Sequence, residues 1–371
     1  MMITDRLKNA RLERLYRSME QADLDAVALV PGANFYFLTS AHFHLMERPT
    51  IFLVTRSGEK HAIIPALEKA RWNSLAPDVD TVYWQDADGY QAAFARIAAR
   101  LPAGRIGVEG QRMRVFEYKA LRQAFAASRI EDAHEAISAM RLCKDDAEIA
   151  AIRKAIDISE KALDKTLGKV AAGMSEVVIR QMLIADMLEQ GADGTAFEPI
   201  VLAGAASADP HGTSSATRLL MKGDALLIDY GAAWGGYAAD ITRTFFCQTV
   251  TPAHRDIYET VLAANEVGRM VSGPGVSLHE IDTAVGASMR DAGFGQLIAH
   301  KTGHGLGLDI HEAPQVMVGN MRTLEPGMVF TIEPGLYREG DVGVRIEDDV
   351  VVTTGGADSL TAFDRNLMLI G

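Results

Sequence analysis

The sequence predicts an α/β (α+β) protein of two domains, the second assembled from two similar halves. Three observations carry that expectation. The 371 residues exceed what a single core organises, since one domain typically takes about 150 residues. Short apolar runs alternate with helical patterns along the amino-terminal third of the chain. From residue 145 the pattern turns helical, and it then repeats at offsets of 100 to 107 residues.

In the amino-terminal region, "DAVALV" (25–30), "TIFLV" (50–54), "HAIIP" (61–65) and "RIGVEG" (105–110) read as strands separated by helices. His42 and His44 in "SAHFHLMERP" read as loop residues packed at the surface. The charged stretch "MRLCKDDAE", around residues 140–148, marks the boundary, giving domains 1–140 and 141–371. Beyond it, Ile149, Ile152, Ile156, Leu163, Leu167 and Val170 share one helical face. "GM" at 173–174 interrupts that pattern, and Ser175 is suited to cap a second helix ending near Gly191. Pro252 suits the first turn of a helix over 252–271, and Ser277 with Glu280 forms a capping box for the next.

The repeat emerges from these elements. "AGMS" precedes one helix and "PGVS" another, 102 residues later. His211 lies 38 residues after Gly173, and His311 lies 36 after Gly275. "KGDALLIDYG" (222–231) aligns with "PGMVFTIEPG" (326–335), which sets Asp229 opposite Glu333. Correspondences in one order imply two α/β halves packed about a pseudo-twofold axis.

Composition excludes several partners. With 37 basic and 49 acidic side chains the net charge is −12, which repels phosphate backbones and anionic lipid, so neither nucleic acid nor membrane is expected as a partner. Cys143 and Cys247 are too few for a disulfide framework, and "MMITDRLKNARLERL" has no apolar core of a secretory signal; a cytoplasmic location is expected. The uncharged run 26–46 contains Pro31, Gly32, Asn34 and two histidines, a poor membrane span.

Each half carries paired acids. In "ALLIDYGAAWGGYAADITRTFF" a strand ends at Asp229 and Asp240 rides the returning strand. A turn at Trp234-Gly235 makes the two face each other; a turn at Gly235-Gly236 makes them diagonal neighbours. "VFTIEPGLY" and "GVRIEDDVVVT" likewise set Glu333 and Glu347 on adjacent strands. Like charges this close are destabilising unless cations neutralise them, and two divalent ions balance four carboxylates. The stretch "HKTGHGLGLDIHE" (300–312) supplies His300, His304 and His311 as imidazole candidates. Four carboxylates with one histidine favour manganese, with cobalt, iron or zinc as alternatives, and a water shared by two such ions becomes hydroxide near neutral pH. The glycines of "GHGLG" fail as a nucleotide loop, because no P-loop lysine or serine follows them.

The motifs "DPHG" (209–212), "IDYGA" (228–232), "ADITRT" (239–244), "HKTGHGLGLDIHE", "GMVFTIEPGLY" (327–337) and "GVRIEDD" (343–349) together resemble the pita-bread metallohydrolases, the superfamily of methionine aminopeptidase, aminopeptidase P, prolidase and creatinase. "NFYFLTS" (34–40), "RPTIFLV" (48–54) and "IGVEG" resemble the amino-terminal domain of the aminopeptidase P, prolidase and creatinase branch. The resemblance implies a creatinase-like amino-terminal α/β domain, a pita-bread catalytic domain and a homodimer. It implies Asp229, Asp240, His304, Glu333 and Glu347 as ligands of two divalent ions. It further implies that His211 and His311 hold the scissile carbonyl and its oxyanion, and that Glu333 shuttles a proton. Tyr337 and Arg345 would orient ligands or substrate, and His300 would line the pocket.

The implied reaction is hydrolysis of an Xaa-Pro bond, at peptide N-termini or in dipeptides, by a hydroxide bridging the two metals; the substrate is a small peptide with proline second. Prolidases add a basic residue for the dipeptide carboxylate, and Arg322 lies in a suitable segment. His254 and His279 read as structural. The alternative on the same fold is a creatinase-like C–N hydrolase or a metal-dependent lyase of a small metabolite. A catalytically dead binding module is the reading from another class, and it would have lost ligands that this chain keeps.

Overall fold

The valine-, isoleucine- and phenylalanine-rich runs of the amino-terminal region form one six-stranded sheet in the computed structural model, which describes residues 5–371. Its strands are β1 (Ala26–Leu29), β2 (Ile51–Thr55), β3 (Lys60–Pro65), β4 (Asp80–Trp84), β5 (Arg105–Val108) and β6 (Arg129–Asp132), in the order β4-β3-β2-β1-β5-β6. β2 runs antiparallel to both neighbours while the outer pairs are parallel. Helices supply Phe94, Ile97 and Leu121 to a core shared with Leu53, Ile63 and Ile106, the layered burial that an α/β sheet requires. His42 and His44 lie on an exposed loop with ring centroids 5.1 Å apart.

The chain divides after Arg141, and Leu142–Gly371 form the second compact unit. Its first half opens with the helix Asp146–Leu167, whose Asp145–Glu148 capping box satisfies the first-turn amides, and continues with Glu176–Glu189, capped by Ser175. The second half opens with Pro252–Val271, capped by Thr251 with Pro252 in the first turn, and Leu278–Asp291, capped by the Ser277–Glu280 box. The caps expected at Ser175 and Ser277 are therefore present, and both residues also bridge an extended segment, Ser175 to Leu219 and Ser277 to Thr323.

The first half contributes β7 (Gly194–Thr195), β8 (Ile200–Ala203), β9 (Ala225–Tyr230), β10 (Ala232–Trp234), β11 (Tyr237–Ala238) and β12 (Ile241–Cys247). The second contributes β13 (Gly303–Gly305), β14 (Glu312–Val316), β15 (Val329–Ile332), β16 (Gly335–Arg338), β17 (Val342–Arg345), β18 (Asp348–Thr353) and β19 (Gly356–Ser359), after which β20 (Leu369–Ile370) returns to β12. Each half buries its helix pair against its own strands. Ile152, Leu163 and Leu183 pack with Leu226, Ile228 and Phe245 in one core, and Val261, Ile281 and Val285 with Phe330, Ile332 and Val350 in the other. The repeat read from the sequence is thus a repeat of helix pair plus antiparallel hairpin. No helix among the described residues is long and apolar enough to cross a membrane.

Candidate metal centre

Most of the carboxylates singled out above sit where strands break. Asp229 is on β9, Asp240 joins β11 to β12, Glu333 joins β15 to β16 and Glu347 joins β17 to β18. Gly235 and Gly236 both have positive φ, 60° and 85°, and make the two-residue turn between β10 and β11. This selects the diagonal register: Thr242 pairs with Asp229, and Asp240 is offset by two residues. In the second half Ile332 pairs with Asp348 and Gly335 with Arg345, so the same register carried across the break sets Glu333 facing Glu347.

These side chains converge. Ligand atoms of Asp229, Asp240 and Glu347 lie within 4.8 Å of one another, as do those of His304, Glu333 and Glu347. Glu347 belongs to both sets, the arrangement expected of a carboxylate between two cations. A third set joins Asp240, His304 and His311, so His311 also stands within reach of an ion. Its ring centroid is 4.1 Å from that of His304.

The electrostatics of the cluster favour positive charge at its centre. Burial pushes the Asp240 and Glu347 carboxyls far above their usual range, and the neighbouring acids push them further. Burial raises Glu333 to about 7 against the pull of Arg345. His304 falls to about 3, first through burial and then through His311 beside it, so its ring is neutral. Its Nδ1–H donates to the Gly305 carbonyl at 3.1 Å, which leaves the Nε2 lone pair 3.6 Å from Asp240 Oδ2 and 3.4 Å from Glu333 Oε1. A lone pair aimed at two carboxylates is unfavourable unless a cation lies between them. Asp229 Oδ1, buried with no hydrogen-bond partner, adds to the same demand. The donor set fits divalent metal ions, with one imidazole and four carboxylates.

A stability prediction follows from the sign of these shifts. A carboxyl raised in the folded state holds its proton there, so stability is lost as pH climbs from its ordinary value towards the folded one. For Glu333 that window runs from 4.5 to about 7. Chelator-treated protein should show a Tm that declines across this window, and Mn2+ should restore most at its upper end. A Tm at pH 7 indifferent to Mn2+ would contradict the assignment.

Arg345 is the hub behind the cluster. Its buried guanidinium donates through Nε to Thr242 Oγ1 at 3.0 Å, through Nη1 to the Tyr337 hydroxyl at 2.9 Å and through Nη2 to Asp229 Oδ2. Tyr337 in turn donates to His300 Nε2 at 2.8 Å, because His300 Nδ1–H is given to the Lys301 carbonyl. Both ring nitrogens of His300 are therefore committed, and it belongs to the frame of the site. The sequence reading missed Thr331, which accepts the His304 amide and donates to Glu333, and Asp282, which holds Thr302 through both its amide and its hydroxyl. It also missed the buried Lys144–Glu312 pair, 2.8 Å apart, next to His311. Each is a contact between segments distant in sequence, with no local pattern to betray it.

The glycines of the histidine stretch are required by packing. A Cβ on Gly303 would lie 1.9 Å from the Thr331 carbonyl oxygen, and one on Gly305 would lie 2.2 Å from that of Ala313. β13 can therefore press His304 between β14 and β15.

The cluster forms one wall of a cavity of about 540 Å3, whose other sides include Phe197, Ile200, Pro210, His211, Ile310 and His311. The sequence profile of Metallopeptidase family M24 matches residues 150–354, more than half of the chain. The chain belongs to metallopeptidase family M24. Membership makes it a hydrolase of the metallopeptidase class, a family in which divalent metals do the work. A second profile, the Creatinase/Prolidase N-terminal domain, matches residues 11–143. The chain is 31% identical over 362 residues to the Xaa-Pro dipeptidase of Pyrococcus furiosus, covering 96% of this chain and 99% of that one. A prolidase from Thermococcus sibiricus superposes with a TM-score of 0.92 at 31% identity, over 100% of both chains. An X-Pro aminopeptidase from Thermotoga maritima superposes at 0.85 with 29% identity, over 96% of this chain and 99% of that one.

Within this M24 chain the basic residue suggested by the sequence is displaced. Arg322 is exposed and does not line the cavity. Lys301 does line it and donates to Gln315 Oε1. His254 pairs with Asp341 at 3.0 Å, and His279 accepts the Gly319 amide at 3.0 Å; both lie outside the cavity lining.

Proposed function

We propose that the chain is a two-metal Xaa-Pro dipeptidase, with manganese as the first-choice ion. The observation that carries this reading is the pair of ligand sets sharing Glu347 on the wall of a cavity whose lining also includes apolar side chains, histidines and Lys301. Asp229, Asp240, His304, Glu333 and Glu347 would hold the ions. When bound, they supply Lewis-acid activation of water and of the scissile carbonyl.

The chain's own groups do the rest. His211 and His311 border the cavity and serve as donors to the carbonyl oxygen as charge develops on it. Glu333, on the cavity wall beside His304, would accept the proton of the attacking water and pass it to the leaving prolyl nitrogen. That nitrogen carries no hydrogen in the substrate, so the site needs no acceptor for it, and the apolar faces of Phe197, Ile200, Pro210 and Ile310 suit a pyrrolidine ring. The similarity to enzymes named Xaa-Pro dipeptidase and prolidase supports this choice over a C–N hydrolase or lyase of a small metabolite.

Lys301 would meet the dipeptide carboxylate. A charge-assisted contact contributes about 1.5–3 kcal/mol, so Lys301→Met should raise KM for an Xaa-Pro dipeptide roughly tenfold or more with little change in kcat. Xaa-Pro-Xaa tripeptides, whose carboxylate lies elsewhere, should be unaffected. The function itself is tested by stripping the protein with chelator, reloading it with Mn2+, and assaying Xaa-Pro dipeptides, Xaa-Pro-Xaa tripeptides and non-prolyl controls. Dipeptide turnover that depends on the metal is expected. Absence of metal-dependent turnover of any prolyl substrate would overturn the proposal, and equal turnover of tripeptides would shift it to an aminopeptidase.

A further inference from the structure

The pseudo-twofold repeat places Thr242 two residues beyond Asp240 and Asp349 two residues beyond Glu347. Each of these residues grips the opposite half. Thr242 Oγ1 donates to Glu347 Oε2 at 2.6 Å, and the Thr242 carbonyl accepts the Glu347 amide at 3.0 Å. In return, Asp349 Oδ2 accepts the Asp240 amide at 3.1 Å. Thr242 and Asp349 are both fully buried, so water cannot substitute for either grip.

The hydroxyl of Thr242 has no freedom left. It accepts from Arg345 Nε, and its single proton goes to Glu347. Thr242 thereby fixes Oε2 of Glu347, a side chain with a ligand atom within 4.8 Å of those of Asp229 and Asp240. Asp349 acts on the backbone: β12 begins at Ile241, and the junction before it is tied to β18 through the Asp240 amide. The Glu347 junction is held by a backbone bond as well as by the Thr242 hydroxyl, whereas the Asp240 junction, also outside the named strands, is held to β18 through the Asp349 side chain.

We infer that Thr242 and Asp349 are reciprocal positioning residues, each setting the geometry of the metal carboxylate contributed by the other half, so that neither half forms a competent ion site alone. The inference rests on the metal-site reading above. Groups that orient ligands in this way are typically worth tenfold to a hundredfold in metal affinity.

Mn2+ affinity and stoichiometry of the chelator-stripped full chain, measured by titration calorimetry, test it without recourse to activity. Thr242→Val keeps the shape and removes the donor; its Mn2+ affinity should fall roughly tenfold to a hundredfold, and Thr242→Ser should recover it. Asp349→Asn keeps an acceptor for the Asp240 amide and should bind as the unaltered chain does, whereas Asp349→Ala should bind weakly. Thermal melts in chelator separate folding from binding, and Thr242→Val is expected to melt as a folded protein even if Asp349→Ala does not. Should Thr242→Val bind Mn2+ as tightly as the unaltered chain, the inference fails while the metal reading stands. Failure of the unaltered chain to bind Mn2+ overturns both.

Discussion

Glu347→Gln is expected to abolish detectable binding of a second ion and to lower kcat/KM for an Xaa-Pro dipeptide by roughly a thousandfold, the equivalent of several kcal/mol of transition-state charge stabilisation. Glu347 belongs to two of the three ligand sets, so on the proposed metal site one substitution would damage two ion positions. The change is nearly isosteric, and Gln retains an oxygen that can accept from Thr242 Oγ1. The fold should therefore survive. Burial and surrounding acids already oppose the Glu347 charge, so the variant should melt higher than the unaltered chain in chelator. A variant that is more stable, poorer in metal and nearly inactive is a combination that a purely structural role for Glu347 does not produce. Full metal content with unchanged kcat/KM would contradict the assignment.

Asp348→Asn, one residue along, should act in the opposite sense. Asp348 is fully buried between Arg243 Nη2 at 2.8 Å and Arg365 Nε at 2.6 Å. Burial alone would raise its carboxyl, but the two guanidinium groups hold it below the ordinary 3.8. Removing the charge leaves two cations uncompensated in the interior, a loss of about 3–5 kcal/mol. For a unit of this size the Tm should drop by roughly 6–20 °C. A carboxylate depressed in the folded state contributes stability above its unfolded pKa and loses that contribution as pH falls. The Tm gap between unaltered and variant protein should therefore be full at pH 6 and shrink as pH drops below 3.8. Arg243 also donates to the Thr242 and Glu347 carbonyls, so metal affinity should weaken along with stability. Calorimetric melts across pH that show no gap at pH 6 would contradict the role given to this pair.

Much of the catalytic unit was legible because its information is local. Ser175 and Ser277 announce helix starts through the chemistry of a side-chain oxygen and an unpaired amide. The acid hairpins are legible because a carboxylate at a strand end followed by glycines is costly without a purpose. The register of the first hairpin was not decided by the sequence, since both Trp234-Gly235 and Gly235-Gly236 can make two-residue turns. Positive φ at both glycines settles it, and Asp240 moves to the diagonal of Asp229. His311 is a further difference. The resemblance gave it, with His211, to the scissile carbonyl and its oxyanion, while a nitrogen of its imidazole also lies within 4.8 Å of ligand atoms of Asp240 and His304.

What escaped the sequence was the support of the site. Thr242 and Glu347 are 105 residues apart, Asp240 and Asp349 are 109 apart, and Lys144 and Glu312 are 168 apart. No periodicity links such pairs, because they meet only when the segments that carry them pack together. The same holds for Lys301, which reads as one more basic residue in a histidine-rich stretch until the fold turns it into the cavity that Arg322 does not reach.

On the function proposed above, two ions per chain, held by Asp229, Asp240, His304, Glu333 and Glu347, would make this protein an Xaa-Pro dipeptidase. The direct measurement is the initial rate of hydrolysis of an Xaa-Pro dipeptide against the number of Mn2+ ions bound per chain, starting from chelator-stripped protein. No turnover is expected at zero ions, and the rate should reach its plateau as occupancy approaches two. Turnover that persists in the stripped protein, or a chain saturated with Mn2+ that leaves the dipeptide intact, would contradict it.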